Sequence, residues 1–385
     1  MTRNRIVWAL LWILSLVGIS FYGGPVSYGF FAVLTLIPVI CLVYLLLVLM
    51  RFKMYQRFAV PGIVCNHSVP FYFILQNEDL FSFAGIRVTF YSDFSHIDGV
   101  NDETEYELLP HTSIRKETDM VCRYRGEYNV GIKSVILRDF FCLFKLTYRN
   151  REPMKVKVLP DIITLENLRD ADIDSVSDKT TSSSVSYPDV TLREYRSGDD
   201  IRRMHWKQTA RTGKPMVRNY VGEEKEGIGI VLHSHRISED PKEYLPVENR
   251  MLEIVIALAL LFRERGIPAS VCYYTQDPQL QIVDSADSFQ ALYKAMSDIN
   301  FREGDASGCL YDAVMAGDAF SRKILFVVAT ELDEEVSTVL DRLREGDAEV
   351  ILYLVRSGGE KEVTKLSPHI TAREVPTGGQ LADLL

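Results

Sequence analysis

The hydrophobic pattern of the chain begins with a long stretch that carries no charge. Residues Ile6 to Met50 contain no Asp, Glu, Lys, Arg or His, and this length is about twice what one membrane span requires. Gly23, Gly24 and Pro25 interrupt the stretch near its middle. Because a second apolar segment follows at once, the pattern favours a transmembrane hairpin within residues 1–57 over a cleaved signal peptide.

Short apolar segments occupy residues 58–167. They are rich in β-branched and aromatic residues, are separated by turn-forming residues and show no convincing helical periodicity. About seven short strands of this kind predict a β-sandwich-like domain. The predicted strands are Phe71–Leu75, Ile86–Phe90, Tyr106–Leu109, Met120–Tyr124, Val130–Leu137, Leu143–Tyr148 and Met154–Val158.

Residues 168–190 lack apolar periodicity and are rich in Asp, Ser and Thr. This composition predicts a flexible linker between two domains.

Strand-like and helix-like segments alternate in residues 226–385. Continuous apolar strands such as Ile324–Val328 predict a parallel, doubly wound sheet that helices cover on both faces. The segment Ile254–Phe262 is too short to span a bilayer and is predicted to be a buried crossover helix. The fold class predicted for the whole chain is therefore α/β plus all-β, preceded by a two-helix transmembrane hairpin.

The segment 191–225 joins the two predicted domains and is strongly basic. Leu192–Tyr220 carries eight Lys or Arg against three acids, in a chain whose net charge is −9. Residues 197–200 include side chains that can cap the N-terminus of a helix, and Gly213 can end one. A helix is therefore predicted between them. On it, i, i+4 spacing places four charged side chains in one stripe: Asp199, Arg203, Lys207 and Arg211.

The signature segment, residues 191–225, resembles the signature of a bacterial family, domain-of-unknown-function family fifty-eight. The residues in register are Tyr195, Gly198, Asp199, Asp200, Arg202, Trp206, Lys207, Ala210, Arg211 and Thr212. A second segment, Arg123–Lys145, resembles the β-module that precedes this signature in the family, with Cys142 where the family usually has glycine.

The resemblance implies a membrane-anchored protein with a von Willebrand factor A-like domain at residues 226–385. It also implies that the protein works with a MoxR-type AAA+ ATPase. It carries no established reaction, and we expect the protein to be an interaction scaffold rather than an enzyme, with no cofactor.

A von Willebrand factor A-like domain that binds Mg²⁺ has the motif Asp-x-Ser-x-Ser after its first strand, because Mg²⁺ prefers oxygen ligands. In this chain His233, His235 and Ile237 replace those three residues. We therefore predict no metal at this degenerate site and no thermal stabilisation by Mg²⁺ or Mn²⁺.

The signature residues have several possible roles. One is a network of ion pairs that clamps the two domains together, with Trp206 partly shielded between them. A second, compatible role is a docking surface in which Trp206 and the basic residues anchor a protein partner. The alternatives are a site for a phosphate or anionic ligand held by Arg203, Lys207 and Arg211, and an enzyme that uses the region of Asp199, Asp200 and His205.

The distribution of charge predicts the topology and excludes general nucleic-acid binding. Basic residues flank both outer ends of the hairpin: Arg3, Arg5, Arg51, Lys53 and Arg57. The positive-inside rule then places residues 51–385 in the cytoplasm, with the hairpin in the bacterial inner membrane. The net negative charge is unsuited to a phosphate backbone, and the six cysteines show no metal-binding spacing, as expected of buried residues in a reducing compartment.

Overall fold

The structure of the protein is a computed structural model with two compact units, residues 1–161 and residues 162–385. It describes residues 2–58, 62–168, 188–194, 204, 206–220, 228–302, 309–316, 324–332, 336–340, 349–356, 363–367 and 370–384. The predicted linker falls largely on residues 169–187, which lie outside the described residues.

Two apolar helices open the first unit, α1 (Thr2–Tyr22) and α2 (Pro25–Arg51). Gly23 makes the turn between them with a φ of 51°, a conformation that glycine adopts without a steric penalty. The indole nitrogen of Trp8 donates to the carbonyl oxygen of Leu34 at 3.2 Å, which ties the two helices together. Both helices are long enough and apolar enough to cross a membrane.

Eleven strands follow in the first unit and form three sheets. Two of the sheets have four strands each, in the orders β1-β3-β7-β5 and β10-β9-β4-β6, and the third has the order β2-β11-β8. The predicted strand Val130–Leu137 is found as β9 from Ile132 onward, while Val130 ends β8, because Gly131, with a φ of 77°, separates the two strands. The strands are β1 (Lys53–Phe58), β2 (Ile63–Val64), β3 (Ser68–Gln76), β4 (Phe83–Phe90), β5 (Ser95–Ile97), β6 (Glu105–Leu108), β7 (Ser113–Cys122), β8 (Gly126–Val130), β9 (Ile132–Arg138), β10 (Lys145–Arg149) and β11 (Met154–Leu159).

Alternate side chains of these strands form one hydrophobic core between the sheets. Phe73 on β3 and Val88 on β4 are fully buried in it, as the period of two in a half-buried strand requires. The end of α2 belongs to the same core, since Leu45 and Val48 are buried among these strand residues. The hairpin and the strands therefore form one compact unit. Within it, residues 53–161, which carry the strands, are called the β unit.

The second unit is a mixed α/β structure built on a seven-stranded sheet with the order β16-β15-β14-β17-β18-β20-β19. A separate antiparallel pair, β12 and β13, precedes this sheet. The strands are β12 (Pro188–Glu194), β13 (Met216–Tyr220), β14 (Ile228–Leu232), β15 (Ala269–Tyr274), β16 (Pro278–Val283), β17 (Ile324–Ala329), β18 (Glu349–Arg356), β19 (Val363–Ser367) and β20 (Ile370–Pro376). The helices are α3 (Trp206–Thr212), α4 (Pro241–Glu264), α5 (Ala286–Asp298), α6 (Cys309–Ala316) and α7 (Leu381–Leu384).

Neighbouring residues of the central strands enter two different cores. Ile230 and Phe326 pack into one cluster, while Val231 and Leu325 pack into the other. Because both faces are covered, these strands are apolar without alternation, as the sequence predicts. The sheet is not wholly parallel, however: its edge strands β16 and β19 pair antiparallel to their neighbours.

Helix α4 is the buried crossover helix that the sequence predicts, and it is longer than the apolar segment alone. It begins after Asp240, whose carboxylate accepts a hydrogen bond from the backbone N–H of Lys242 at 2.9 Å. Every residue from Met251 to Phe262 is buried.

Candidate functional site

The described residues of the signature segment include the helix α3, which lies between β12 and β13. The backbone N–H of Met216, the first residue of β13, donates to the hydroxyl of Thr209 at 3.0 Å. The helix ends at Gly213, as the sequence predicts: φ is 68°, and its N–H donates to the carbonyl of Thr209 at 2.9 Å. These contacts fix the helix against the strand that follows it.

The predicted start of this helix, at residues 197–200, lies outside the described residues. Met204 precedes the helix, which begins at Trp206. Within the described residues of the connection between β12 and β13, the helix spans Trp206–Thr212. Several predicted site residues lie outside the described residues: Tyr195, Gly198, Asp199, Asp200, Arg202, Arg203 and His205.

The described signature side chains are exposed. Trp206 is 65% exposed, and Lys207, Arg211 and Thr212 are also exposed. The expected shielding of Trp206 between the two domains stays a prediction. Lys207 and Arg211 are one turn apart, and neither forms an ion pair with any residue that the structure describes. An indole and two cations thus share one exposed, rigid helix.

His233 and His235 lie at the carboxyl edge of the parallel sheet, directly after β14. His233 is 2% exposed, and its ring centroid lies 5.7 Å from that of His235. The backbone N–H of His233 donates to the carbonyl oxygen of Val328 on β17 at 2.9 Å. This is the point where the strand order reverses, which in open α/β sheets is the usual place for a ligand.

The described part of this edge supplies few ligands for a hard cation. Ile237 is 44% exposed and has no oxygen to offer, and the hydroxyl of Ser234 donates to the carbonyl of Tyr274 at 2.6 Å. Within the described ranges, no three His, Cys, Asp or Glu side chains converge as a metal site requires. An imidazole pair remains, which suits softer metals more than Mg²⁺.

Sequence reasoning missed a cluster of buried polar side chains on α4. Arg236 pairs with Glu248 at 2.6 Å, and Arg250 pairs with Glu253 at 3.0 Å, with each glutamate side chain no more than 4% exposed. Asn249 donates a hydrogen bond to Glu253 at 2.6 Å. The signal was present: acids and bases at i, i+3 and i+4 spacing continue directly into an apolar helix.

Arg250 also binds the end of the chain. One of its terminal nitrogens donates to the carbonyl oxygens of Thr377 and Gly379 at 2.8 and 2.7 Å. The buried ion pair therefore holds the segment between β20 and α7 against α4.

Comparison with known families agrees with the signature. Residues 191–363 match the family described as "Protein of unknown function DUF58". The match supports that family. It covers the signature segment and most of the α/β unit, and no curated protein matches the chain.

Similarity to solved structures is low. The cupredoxin domain of amoB from Nitrosocaldus yellowstonii is 6% identical, with 30% of this chain and 96% of that chain covered and a TM-score of 0.21. An exo-β-N-acetylglucosaminidase from Vibrio harveyi is 8% identical, with 85% and 35% covered and a TM-score of 0.17. A Bacteroides uniformis β-glucuronidase is 11% identical, with 78% and 33% covered and a TM-score of 0.17. The chain spans about a third of the length of these two enzymes, and none of the three similarities supports a statement about function.

Proposed function

We propose that the protein is a membrane-anchored interaction scaffold that works with a MoxR-type AAA+ ATPase in the assembly or maturation of envelope proteins or complexes. The observation that carries the proposal is the exposure of Trp206, Lys207 and Arg211 on α3. The match of residues 191–363 to the family supports the choice of partner through the resemblance.

The chemistry of α3 suits a protein partner. Tryptophan and arginine are the residue types most enriched at binding hot spots, because they bury a large area and also donate hydrogen bonds. An exposed indole buries apolar surface when a partner binds, and two exposed cations favour a partner with acidic groups.

We also propose that residues 226–385 form a von Willebrand factor A-like domain. The order of its seven-stranded sheet supports this proposal, since the central strands β15, β14, β17, β18 and β20 are parallel and the order reverses between β14 and β17. Such a domain presents loops at the carboxyl edge of its sheet, where partners and ligands of open α/β sheets bind.

The proposed location is the bacterial inner membrane, with the hairpin inserted and residues 51–385 in the cytoplasm. Basic residues at both outer ends of α1 and α2 support this topology. A reporter fused after Leu385 should show cytoplasmic activity, and periplasmic activity from the same fusion would overturn the topology and the choice of a cytosolic partner.

The scaffold function is tested by a binding titration. The full-length protein in detergent is titrated with a purified MoxR-type ATPase from the same bacterium, and the Lys207→Ala variant is compared with Lys294→Ala, which removes an exposed lysine from α5 of the same unit. We expect Lys207→Ala to weaken binding and Lys294→Ala to leave it unchanged. Equal binding by both variants and the unsubstituted protein would remove Lys207 from the docking surface.

A further inference from the structure

The exposed hydrophobic side chains of the β unit are concentrated at one end of it. Its described residues include five large hydrophobic side chains that are exposed: Tyr55, Leu80, Leu109, Phe140 and Phe141. Four of these lie in the loops 77–82, 109–112 and 139–144, which connect β3 to β4, β6 to β7 and β9 to β10. These three loops are called the apolar end of the β unit.

Strand pairing and side-chain hydrogen bonds bring the three loops together. Leu108, at the end of β6, pairs with Phe83 at the start of β4. The amide nitrogen of Asn77 donates to the carbonyl oxygens of Phe81 and Leu109 at 2.9 and 3.1 Å, which joins the first two loops.

The apolar end lies against α2 at Tyr44. The hydroxyl of Tyr44 donates to the carbonyl oxygen of Ser82 and accepts from the N–H of Ala84, both at 3.1 Å. The ring centroid of Tyr44 also lies 4.7 Å from that of Phe140. Two of the three loops, 77–82 and 139–144, therefore contact α2 at the same residue, Tyr44.

The start of α1 meets the third loop. The side chain of Asn4 donates to the carbonyl oxygen of Phe141 at 3.0 Å, and Arg5 donates to that of Leu143 at 2.6 Å. Both helices of the hairpin thus reach the apolar end, α1 with its first residues and α2 at Tyr44.

The lengths of the helices place this level at the edge of a bilayer. A helix rises 1.5 Å per residue, so residues 25–44 of α2 span about 30 Å, the thickness of the hydrocarbon core. The residues of α2 beyond Tyr44 have another environment, because Leu45 and Val48 are buried in the core of the β unit. The membrane boundary on α2 is therefore at Tyr44 rather than at Arg51.

The loop that carries Phe140 and Phe141 is built to hold them outward. The carboxylate of Asp139, which is 3% exposed, accepts hydrogen bonds from the backbone N–H groups of Phe141, Leu143 and Phe144 at 3.1, 3.2 and 2.7 Å. On this hydrogen-bonded turn, Phe140 is 59% exposed and Phe141 is 56% exposed. Folding of the β unit does not account for two adjacent exposed rings.

An apolar groove continues from the lipid-facing side of α2 to the same loops. It has a volume of about 350 Å³ and is lined by Val39, Val43 and Leu47 of α2 together with Phe81 and Phe140. At the opposite end of the β unit, the loop 98–104 carries exposed acids instead, Asp98, Asp102 and Glu103.

We propose that the apolar end of the β unit lies in the headgroup–acyl boundary of the bilayer, with Phe140 and Phe141 inserted among phospholipids and an acyl chain in the groove beside α2. This depth is where aromatic side chains of membrane proteins concentrate. The proposal rests on the proposed anchoring of the hairpin, and it fixes the β unit at the membrane surface instead of leaving it on a tether.

The test measures the depth of single labelled residues. Full-length variants Phe141→Cys, Glu103→Cys and Val33→Cys are made in a background with Cys142→Ser and Cys309→Ser, labelled with a small fluorophore and placed in phosphatidylcholine vesicles. Some of the lipids carry a nitroxide quencher near the top of the acyl chain. Val33 is an exposed residue within α2 and reports on the hairpin, while Glu103 reports on the opposite end of the β unit.

The proposal expects the labels at residues 141 and 33 to lose most of their emission to the lipid quencher, and the label at residue 103 to keep its emission. Quenching at residue 33 alone would contradict the placement of the β unit in the membrane boundary, but it would support insertion of the hairpin into the bilayer. Absence of quenching at all three positions would overturn the anchoring itself. Adding Phe140→Ser to the Phe141→Cys variant should reduce its quenching.

Discussion

Two helices of the α/β unit carry charged side chains, which are buried on one helix and exposed on the other. Helix α4 places Arg250 and Glu253 in the interior, where they pair with each other at 3.0 Å. Helix α3 leaves Lys207 and Arg211 exposed beside an exposed tryptophan. Buried charges must be paired to be tolerated, whereas exposed charges are available to a partner.

This difference distinguishes two roles that the sequence predicts for the signature segment, an ion-pair clamp and a docking surface. A clamp made of ion pairs is present in the α/β unit, but it lies on α4 and holds the segment before α7 through Thr377 and Gly379. The described residues of the signature carry no comparable network. The signature helix is therefore better suited to docking, and the two helices should respond differently to substitution.

The largest effect is expected at Arg250. Arg250→Ala removes the ion pair with Glu253 and both hydrogen bonds to the end of the chain, and it leaves a buried carboxylate without its partner. Breaking a buried pair in this way costs about 3–5 kcal/mol. Thermal unfolding of the full-length protein in detergent should show a large fall in the melting temperature, with Lys294→Ala as the control. A melting temperature equal to that of the control would mean that α4 does not clamp the chain.

A smaller loss is expected at the start of α4. Asp240→Ala removes the N-cap that accepts from Lys242, at a cost of about 0.5–2 kcal/mol. Asp200 lies outside the described residues, and Asp200→Ala is expected to remove cap chemistry from the signature segment at a similar cost of about 0.5–2 kcal/mol. Thermal unfolding beside Lys294→Ala measures both losses. A melting temperature of Asp240→Ala equal to that of Lys294→Ala would mean that Asp240 does not cap α4.

Lys207 should contribute little to stability. A charge on an exposed helix surface contributes about 0–1 kcal/mol, and Lys207 pairs with no described residue. The melting temperature of Lys207→Ala should stay close to that of Lys294→Ala. A fall comparable to that of Arg250→Ala would place Lys207 in a structural network and weaken the contrast between the two helices.

Divalent cations should have no effect on stability. If α3 is the binding surface of the α/β unit, the sheet edge at His233 need not hold Mg²⁺, and His233 and Ile237 offer no oxygen ligand. Melting temperatures with and without Mg²⁺ or Mn²⁺ should be equal. A saturable rise with either ion would move the binding site from α3 to the sheet edge.

Periodicity made much of the fold predictable. The uncharged stretch predicts the two long apolar helices, and continuous apolar strands predict a sheet covered on both faces, because each pattern reflects burial along one element. The antiparallel edge strands β16 and β19 were not predictable in this way, since an edge strand is half exposed and its pattern is weak.

The site was less predictable than the fold. The stop at Gly213 is a local signal and was predicted, but the antiparallel pairing of β12 with β13 around α3 joins distant residues, which a local pattern does not encode. The cluster around Arg250 was not predictable from its neighbours, because charged residues next to an apolar segment are usually exposed to solvent. Their burial depends on the segment at Thr377, more than a hundred residues later.

The central claim, that α3 is a docking surface and not a clamp, is tested most directly by Trp206→Ala. The dissociation constant for the MoxR-type ATPase and the melting temperature are measured on the same preparation. Because Trp206 is 65% exposed, we expect the melting temperature to stay unchanged. Loss of an aromatic anchor of about 2 kcal/mol should weaken binding by about 30-fold. A lower melting temperature with unchanged affinity would contradict the account and make Trp206 part of a clamp.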